Sequence, residues 1–500
     1  MSWFEEFPAP ERRIFCNRTL NLRGIQAVGF DMDYTLVHYH TKKWEERAYE
    51  HARKRLLERG WPVEDLRFDP DFASLGLILD LELGNVVKAN RFGFVKRACH
   101  GTQMLSHTEQ KAIYARELID LADSRWVFMN TLFALSEACL FAQVVDLLDE
   151  GRLRESMTGV PIGENGARPP MSYIDAYRLT RSAIDAAHMM GELKAEIIAD
   201  PEAFVVMDPD VPMALMDLRA SGKKVLLITN SEWSYTQAMM KFAIDPHVPN
   251  GTWRDLFDLV IVSARKPDFF AANAPIFEVV DEEKGHLAPV VGSLEAGKAY
   301  LGGNAAAVEK HLGVRGEDIL YVGDHIFSDV NVSKKIHRWR TALVVRELET
   351  DLESLYAFRE KQALLSSLME RKEIIEHQYS IVRLAIQRKS AGYGPQVDES
   401  IEELKAHIAG FRDELKEIDA KIAPLAIESG QLSNKRWGLL MRAGNDKSHL
   451  ARQVEKSADV YMARVGNLMD QTPFVYLRSP RGSLPHDFGP EGGSVREETP

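Results

Sequence analysis

Four apolar runs along the chain end abruptly in polar, potentially reactive residues: 25–35, 225–231, 259–267 and 319–329. Runs of this kind predict strands buried on both faces, as in a parallel sheet, and residues 341–345 predict a fifth. In an open α/β sheet the ligand crevice lies outside the carboxyl ends of the strands, so the polar tips are expected to converge in space although they are far apart in sequence. About 190 residues separate the first tip from the second run, whereas a whole βαβ unit takes about 30. An inserted domain therefore sits between them. Apolar spacing over 44–57 and 109–148 predicts that the insert is largely helical, and the turn-rich patch 83–94 reads as a small hairpin. An insert beside the crevice is a natural lid.

Beyond the last run, Ile401, Leu404, Ile408, Phe411, Leu415, Ile418 and Ile422 follow one another at alternating spacings of three and four, a heptad seam. Ser400 with Glu403 supplies a capping box at its start. A matching series, Leu365, Leu368, Lys372, Ile375, Tyr379, Val382 and Ile386, precedes the breaker Ala391-Gly-Tyr-Gly-Pro395, so an antiparallel helical hairpin is expected. Such a hairpin either staples onto its own core or makes an oligomer contact. The expected plan is a discontinuous catalytic core, 1–42 and 200–347; an inserted cap, 43–199; a helical hairpin, 348–425; a segment packing on the core, 426–480; and an unordered tail, 481–500. The sequence shows no internal repeat.

The 500 residues are 45% hydrophobic and 27% charged, which excludes a wholly disordered chain and a disulfide-stapled mini-protein. The net charge of −12, from 74 acidic against 62 basic residues, argues against coating a polyanion by electrostatics and leaves room for a local basic pocket. Cys16, Cys99 and Cys139 are too widely spaced for a disulfide framework or a zinc site. A reducing, cytoplasmic location is expected. The first residues lack the basic flank and apolar run of a signal peptide, and no eighteen consecutive residues are apolar, so neither secretion nor a membrane span is expected.

The tips carry the chemistry. Asp31-Met-Asp33-Tyr-Thr35 can set two carboxylates near one point, an arrangement that persists only with a cation or with one acid protonated. One carboxylate would attack phosphorus while the other protonates the leaving oxygen and later deprotonates water. Asp324 and Asp329 add two acids to an all-oxygen site of the kind that suits Mg²⁺; Asp329 equally reads as a helix-start cap. Thr229, Asn230 and Ser231 can hold phosphate oxygens with hydroxyls and backbone N–H groups, or simply cap a helix. Lys266 would neutralise both nucleophile and phosphate.

This constellation resembles the haloacid dehalogenase superfamily of aspartate-nucleophile phosphotransferases, and within it the cytosolic purine 5′-nucleotidases that prefer IMP and GMP. The resemblance rests on Gly29-Phe-Asp-Met-Asp-Tyr-Thr-Leu36, Thr229-Asn-Ser231, Ala264-Arg-Lys-Pro-Asp-Phe-Phe270 and Tyr321-Val-Gly-Asp-His-Ile-Phe-Ser-Asp329. It continues in Leu83-Gly-Asn-Val-Val-Lys88, His100-Gly101, Asn130-Thr-Leu-Phe133 and Ser483-Leu-Pro-His-Asp487.

The resemblance implies a Rossmann-like, doubly wound parallel sheet with a large, mostly helical inserted cap and a C-terminal helical hairpin. It makes Asp31 the nucleophile and Asp33 the general acid/base, with Asp31, Asp33 (through its carbonyl) and Asp324 on the metal and Asp329 supporting them. Thr229, Asn230, Ser231 and Lys266 match the phosphate-binding residues. Arg181, Asp185 and His188, on one helix face, with Lys194 and a stacking Phe133, match residues that recognise purine and ribose; without the resemblance, Arg181 and Asp185 read as a surface ion pair. A nucleotide-effector site in the family resembles a set including Asn130, Phe327, Lys335 and Gln453, but Lys456 and Ser457 stand where the animal enzymes carry Arg and Tyr, and their acidic C-terminal run is missing.

The implied activity is Mg²⁺-dependent hydrolysis of purine nucleoside 5′-monophosphates through a phospho-aspartate, with phosphate transfer to a nucleoside as a second outlet. The implied partner is the nucleotide substrate, with no nucleic acid polymer and no membrane, in a homo-oligomer, dimer or tetramer. Competing readings are a phosphatase of another small phosphorylated metabolite, and a catalytically inactive nucleotide-sensing scaffold.

Overall fold

The computed structural model describes residues 8–153, 171–189, 191–471 and 473–480. The tail expected from 481, with Ser483-Leu-Pro-His-Asp487, and the side chain of His188 lie outside the described residues. The contacts divide the chain into two units, one of Met1–His40, Lys194–Arg346 and Gln453–Pro500, the other of Thr41–Leu193 and Glu347–Arg452.

The first unit is built on a ten-stranded sheet. In chain order its strands are β1 (Ile14–Cys16), β2 (Ala27–Phe30), β3 (Lys224–Ile228), β4 (Leu259–Val262), β5 (Ile276–Asp281), β6 (His286–Pro289), β7 (Ala299–Gly302), β8 (Ile319–Gly323), β9 (Arg340–Val344) and β10 (Val460–Met462). The spatial order is β1-β10-β9-β8-β2-β3-β4-β7-β5-β6. From β10 to β7 every pairing is parallel; the strands outside them pair antiparallel. The chain winds outward from β2 to β7, then returns to place β8 on the other side of β2, so β2 is the switch point. This is the parallel α/β core that the apolar runs imply, doubly wound as the resemblance implies. The strands are apolar throughout because both faces are covered: every residue of β2, β4 and β8 is buried. Two of the parallel strands, β7 and β10, and the antiparallel edges are additions to the expected set.

The second unit combines helices with a five-stranded antiparallel sheet. Helices α1 (Thr41–Glu58), α2 (Leu135–Asp149) and α3 (Tyr173–Met189) come from the insert. The expected hairpin is present as Asn85–Ala89 paired with Val95–His100, and it belongs to a sheet completed by Ile78–Asp80, Gln103–Met104 and Trp126–Phe128. The helix expected over 109–148 is thus interrupted. Its apolar triplet Trp126-Val-Phe128 pairs with Ile78–Asp80 instead, where Arg125 clamps the buried Asp80 with two bonds of 2.8 Å.

The heptad seams form α4 (Leu348–Ala391) and α5 (Ile401–Ser429), with the capping box at Ser400 and Glu403 in place. Lys361 pairs with Glu428, Lys372 with Asp419 and Arg371 with Glu414, so the helices run antiparallel. Leu365 and Ile375 of α4 and Leu404, Ile408 and Ile418 of α5 are buried. By contacts the hairpin groups with the insert, and the segment expected at 426–480 divides after Arg452. Within the second unit its first part is fastened by Arg436 on Asp69, by Trp437 Nε1 on the Phe72 carbonyl at 2.6 Å, and by Leu440 N on Asp351 at 2.6 Å.

Candidate active site

Four strand ends meet in the first unit. Directly after β2, Asp31 N donates to the Val322 carbonyl of β8, which fixes the start of the Asp31–Thr35 turn against the neighbouring strand. Tyr34 holds φ of +55°, a left-handed conformation costing about 1–2 kcal/mol for an L residue; its ring is buried and meets Tyr39 edge-on at 5.3 Å. Strain of this kind persists where packing over-determines it.

At the centre is Lys266, whose side chain is 1% exposed. Its Nζ lies 2.8 Å from Asp31 Oδ1 and 2.8 Å from Asp329 Oδ1, and it donates to Tyr321 Oη at 3.0 Å. Tyr321 in turn donates to the Ile228 carbonyl at the end of β3. Gly29 makes room for that ring, since a Cβ there would lie 2.9 Å from Tyr321 Cδ2. Asn230 exchanges bonds with the Lys266 backbone, accepting from its N–H at 2.6 Å and donating to its carbonyl at 3.1 Å. Its side chain is therefore committed to placing Lys266.

Asp329 reaches the centre because Gly323 carries no side chain: a Cβ there would lie 2.6 Å from the Asp329 carboxylate. Asp329 Oδ2 accepts from His325 N at 3.1 Å. Burial and the nearby Lys266 charge hold His325 down at about 4, so its neutral Nδ1 accepts from Phe327 N and Ser328 N and caps the π-helical turn Ile326–Asn331.

Carboxylate oxygens of Asp31, Asp324 and Asp329 lie within 4.8 Å of one another. Burial and the charges of Asp329 and Asp31 push Asp324 well above the usual carboxylate range, and burial likewise raises Asp31 against the pull of Lys266. Three acids share one lysine, and their oxygens form a hard donor set. That chemistry fits a divalent cation of the Mg²⁺ type.

Asp33 faces elsewhere. Its Oδ2 accepts from the Ser231 hydroxyl and its Oδ1 from Tyr39 Oη, each at 2.5 Å. Tyr235 Oη donates to Tyr39 Oη at 3.1 Å. Burial raises the Asp33 carboxyl against these two donors, with Asp31 adding to the rise and Lys194 opposing it. Lys194 Nζ stands 4.9 Å from the Tyr235 ring centroid, which puts this expected substrate residue in the first unit near Asp33. Thr229 Oγ1 accepts from the Ser231 backbone N–H at 3.1 Å, and of the two expected phosphate hydroxyls that of Ser231 is the one bonded to Asp33. Tyr39 and Tyr235 escape a reading of the sequence, because neither belongs to a strand-end run and Tyr235 meets Tyr39 from 196 positions away.

The remaining expected substrate residues belong to the second unit. Arg181 donates to Glu137 and to Asp185, each at 3.1 Å, and to Tyr177 Oη at 3.3 Å. Glu137 is buried and also accepts from Tyr177 Oη at 2.6 Å. The Phe133 ring lies 5.5 Å from that of Trp44.

An α/β core with an aspartate, a lysine and a carboxylate cluster at the switch point defines a phosphoester-processing site. Residues 14–489 match the model of the 5′ nucleotidase family, and the chain belongs to that family; it is a 5′-nucleotidase enzyme, a phosphoric monoester hydrolase. A 5′-nucleotidase domain-containing protein of Dictyostelium discoideum is 26% identical over 488 residues, covering 95% of this chain and 75% of that protein. Among solved structures, an archaeal beta-phosphoglucomutase from Pyrococcus sp. strain ST 04 is 11% identical, covering 64% of this chain and 86% of its own, with a TM-score of 0.27. CbbY from Rhodobacter sphaeroides in complex with phosphate is 13% identical with the same coverage and a TM-score of 0.22. Among the described residues, no helix is long and apolar enough to cross a membrane.

Proposed function

We propose that the enzyme is a Mg²⁺-dependent hydrolase of purine nucleoside 5′-monophosphates, of the IMP and GMP type, acting through a phosphorylated Asp31. The observation that carries this reading is the separation of roles at the first unit's strand ends. Asp31 is bound to Lys266 and belongs to the carboxylate cluster, while Asp33 is turned to Ser231 and Tyr39.

In this reading an Asp31 carboxylate oxygen attacks phosphorus, and the bond from phosphorus to the ester oxygen breaks. Asp33 gives its proton to the departing alkoxide, a role that its raised pKa favours. Water then attacks the phosphoryl group, Asp33 takes the water proton, and the Asp31 carboxylate is regenerated with release of phosphate; a nucleoside hydroxyl in place of water gives phosphotransfer. Lys266 holds Asp31 in place throughout, and Thr229 and Ser231 bind the phosphoryl oxygens. Asp31, Asp324 and the Asp33 carbonyl would hold Mg²⁺, with Asp329 supporting them. When bound, the ion neutralises the phosphate and the carboxylates and so lowers the barrier to attack by an anion.

Base choice is assigned to Arg181, Asp185, His188, Lys194 and Phe133. The engagement of Arg181 by Glu137 and Asp185 is also what a structural ion pair requires, which sustains the second reading, a phosphatase of another small phosphorylated metabolite. Phosphate release from a panel of nucleoside monophosphates and simple phosphate esters, with and without Mg²⁺, separates the two. Preference for IMP and GMP supports the proposal, and equal turnover of baseless esters overturns it. A cytoplasmic homo-oligomer completes the proposal, with light scattering of the full chain as its check.

A further inference from the structure

The antiparallel sheet of the second unit carries a like-charged pair. Where Asn85–Ala89 runs against Val95–His100, Lys88 stands directly opposite Arg97, a placement that is destabilising on a bare sheet face. The next pairing joins Ala89 to Val95, so the ladder bulges and Lys96 has no cross-strand partner. Successive residues of a regular strand point to opposite faces. Here Lys96 and Arg97 line the same cavity, together with Lys88, as a bulge that re-aims a side chain allows.

The cavity measures about 580 Å³ and lies wholly within this unit, inside the range of roughly 300–1,000 Å³ usual for small-molecule sites. Arg442 adds a fourth basic side chain, Leu355 and Leu365 supply apolar wall, and among the described residues no carboxylate lines it.

Two of the cations are fixed. Lys88 is buried and donates to the Trp437 and Leu439 carbonyls at 2.7 and 2.6 Å. Arg97 donates to the Arg436 and Gly430 carbonyls at 2.6 and 2.7 Å. These acceptors are neutral carbonyls, so they orient both side chains without bringing a negative charge to them. Burial holds Lys88 down at about 7, with Asp351 opposing and Arg97 adding to the effect. Among the described residues, none pairs with the side chain of Lys96 or Arg442.

We infer that this cavity binds a small ligand carrying two or more phosphate groups, whose oxygens lie against Lys88, Lys96, Arg97 and Arg442. A single phosphate ester carries a charge of about −1.5 to −2 at neutral pH and leaves fixed cations uncompensated. A diphosphate or triphosphate matches the lining. None of Asn130, Phe327, Lys335 and Gln453, which family resemblance assigns to an effector, lines the cavity, and the residues of the carboxylate site belong to the other unit.

The test is calorimetric titration of the full chain with tripolyphosphate in the presence of EDTA. Wild type is expected to show saturable binding that Lys96→Ala/Arg442→Ala weakens at least about tenfold, with basal hydrolysis and the probe-free melt unchanged. The exchange touches no residue of the carboxylate site, so any binding there is equal in both proteins. If the alanine pair lowers the melt, Lys96→Gln/Arg442→Gln gives the reading in its place. Absence of saturable binding to wild type, or equal affinity in wild type and variant, overturns the inference.

Discussion

Asn230 and Lys266 exchange two hydrogen bonds, side chain to backbone, across the gap between the ends of β3 and β4. The lysine that binds Asp31 is therefore placed by a residue whose own side chain is bonded to the lysine's backbone. Asn230→Ala removes both bonds and frees the Lys266 backbone. Misplacement of a catalytic group by about 1 Å can cost about 10²-fold, and a fall in kcat of that order is expected, with KM changed much less. Steady-state kinetics check this, and an unchanged kcat would show that Lys266 is held by its ion pairs alone.

Asp31→Asn is expected to abolish turnover, because an amide is not a nucleophile towards phosphorus. Folding should survive, since Lys266 keeps Asp329 and the substitution removes a negative charge from a crowded cluster. Phosphate release and the thermal melt are to be measured on the same preparation. Activity within about tenfold of wild type, a barrier change of only about 1.4 kcal/mol, sinks the covalent mechanism.

Mg²⁺ is expected to raise the melting temperature of the wild-type protein by relieving repulsion among Asp31, Asp324 and Asp329. Asp324→Asn should abolish that rise while leaving the metal-free melt equal or higher, because burial and its neighbours already disfavour the ionised form. Chelation should silence hydrolysis reversibly. A melt indifferent to Mg²⁺, or full activity in excess EDTA, speaks against a metal site here.

Glu45 of α1 is fully buried, accepts from Ser136 N at 2.7 Å, and is pushed up to about 8 by burial, with Glu137 adding to the rise. Its folded pKa exceeds its unfolded one. Its contribution to stability is thus fully present below the usual carboxylate range and is lost as pH rises towards 8, at up to about 1.4 kcal/mol per pH unit. Glu45→Gln keeps the acceptor and removes the titration. Denaturant melts at pH 5 and pH 8 should show the variant gaining on wild type at the higher pH; parallel pH dependences would mean that Glu45 ionises without cost.

Arg181→Ala is expected to erase most of a preference for 6-oxopurines. An arginine donor suits an oxo acceptor, and a mismatched amino group leaves buried polar groups unsatisfied at about 1–3 kcal/mol, or roughly ten- to a hundredfold in kcat/KM. Hydrolysis of a baseless phosphate ester should stay the same. Equal depression of every substrate would move Arg181 from base recognition to a structural role with Glu137.

The parts of this molecule that announce themselves in the sequence are those whose physics is local. The runs ending at Asp31, Thr229, Lys266 and Asp324 are buried on both faces and stop where the chain turns into the crevice, so they are visible as apolar blocks with reactive tips. The heptad seams of α4 and α5 are visible for the same reason. Strand β7 is four residues beside Gly303, and β10 is three, too short for a pattern to register. Beyond its hairpin, the sheet of the insert is not legible, because Trp126-Val-Phe128 fits a helical spacing as well as a strand. In the site, the donors to Asp33 are invisible for a different reason: Tyr39 is six positions away and Ser231 lies 198 away, and only the tertiary fold pairs them.

The order of strands in the sheet sets a timetable for synthesis. β1 leaves the ribosome before the other strands of this sheet, and among the described residues its partner in the sheet is β10, which begins at Val460. At about 5–20 residues per second, β1 waits roughly 20–90 s for that partner. Until then β9 presents an open edge on which another nascent chain can template. A message cut short between Asp329 and Val460 would release a protein that already contains Asp31, Lys266 and Asp324 yet has an unsealed sheet. The segment from Val460 onward thus governs whether this edge of the sheet is closed rather than whether the residues of the carboxylate site are present.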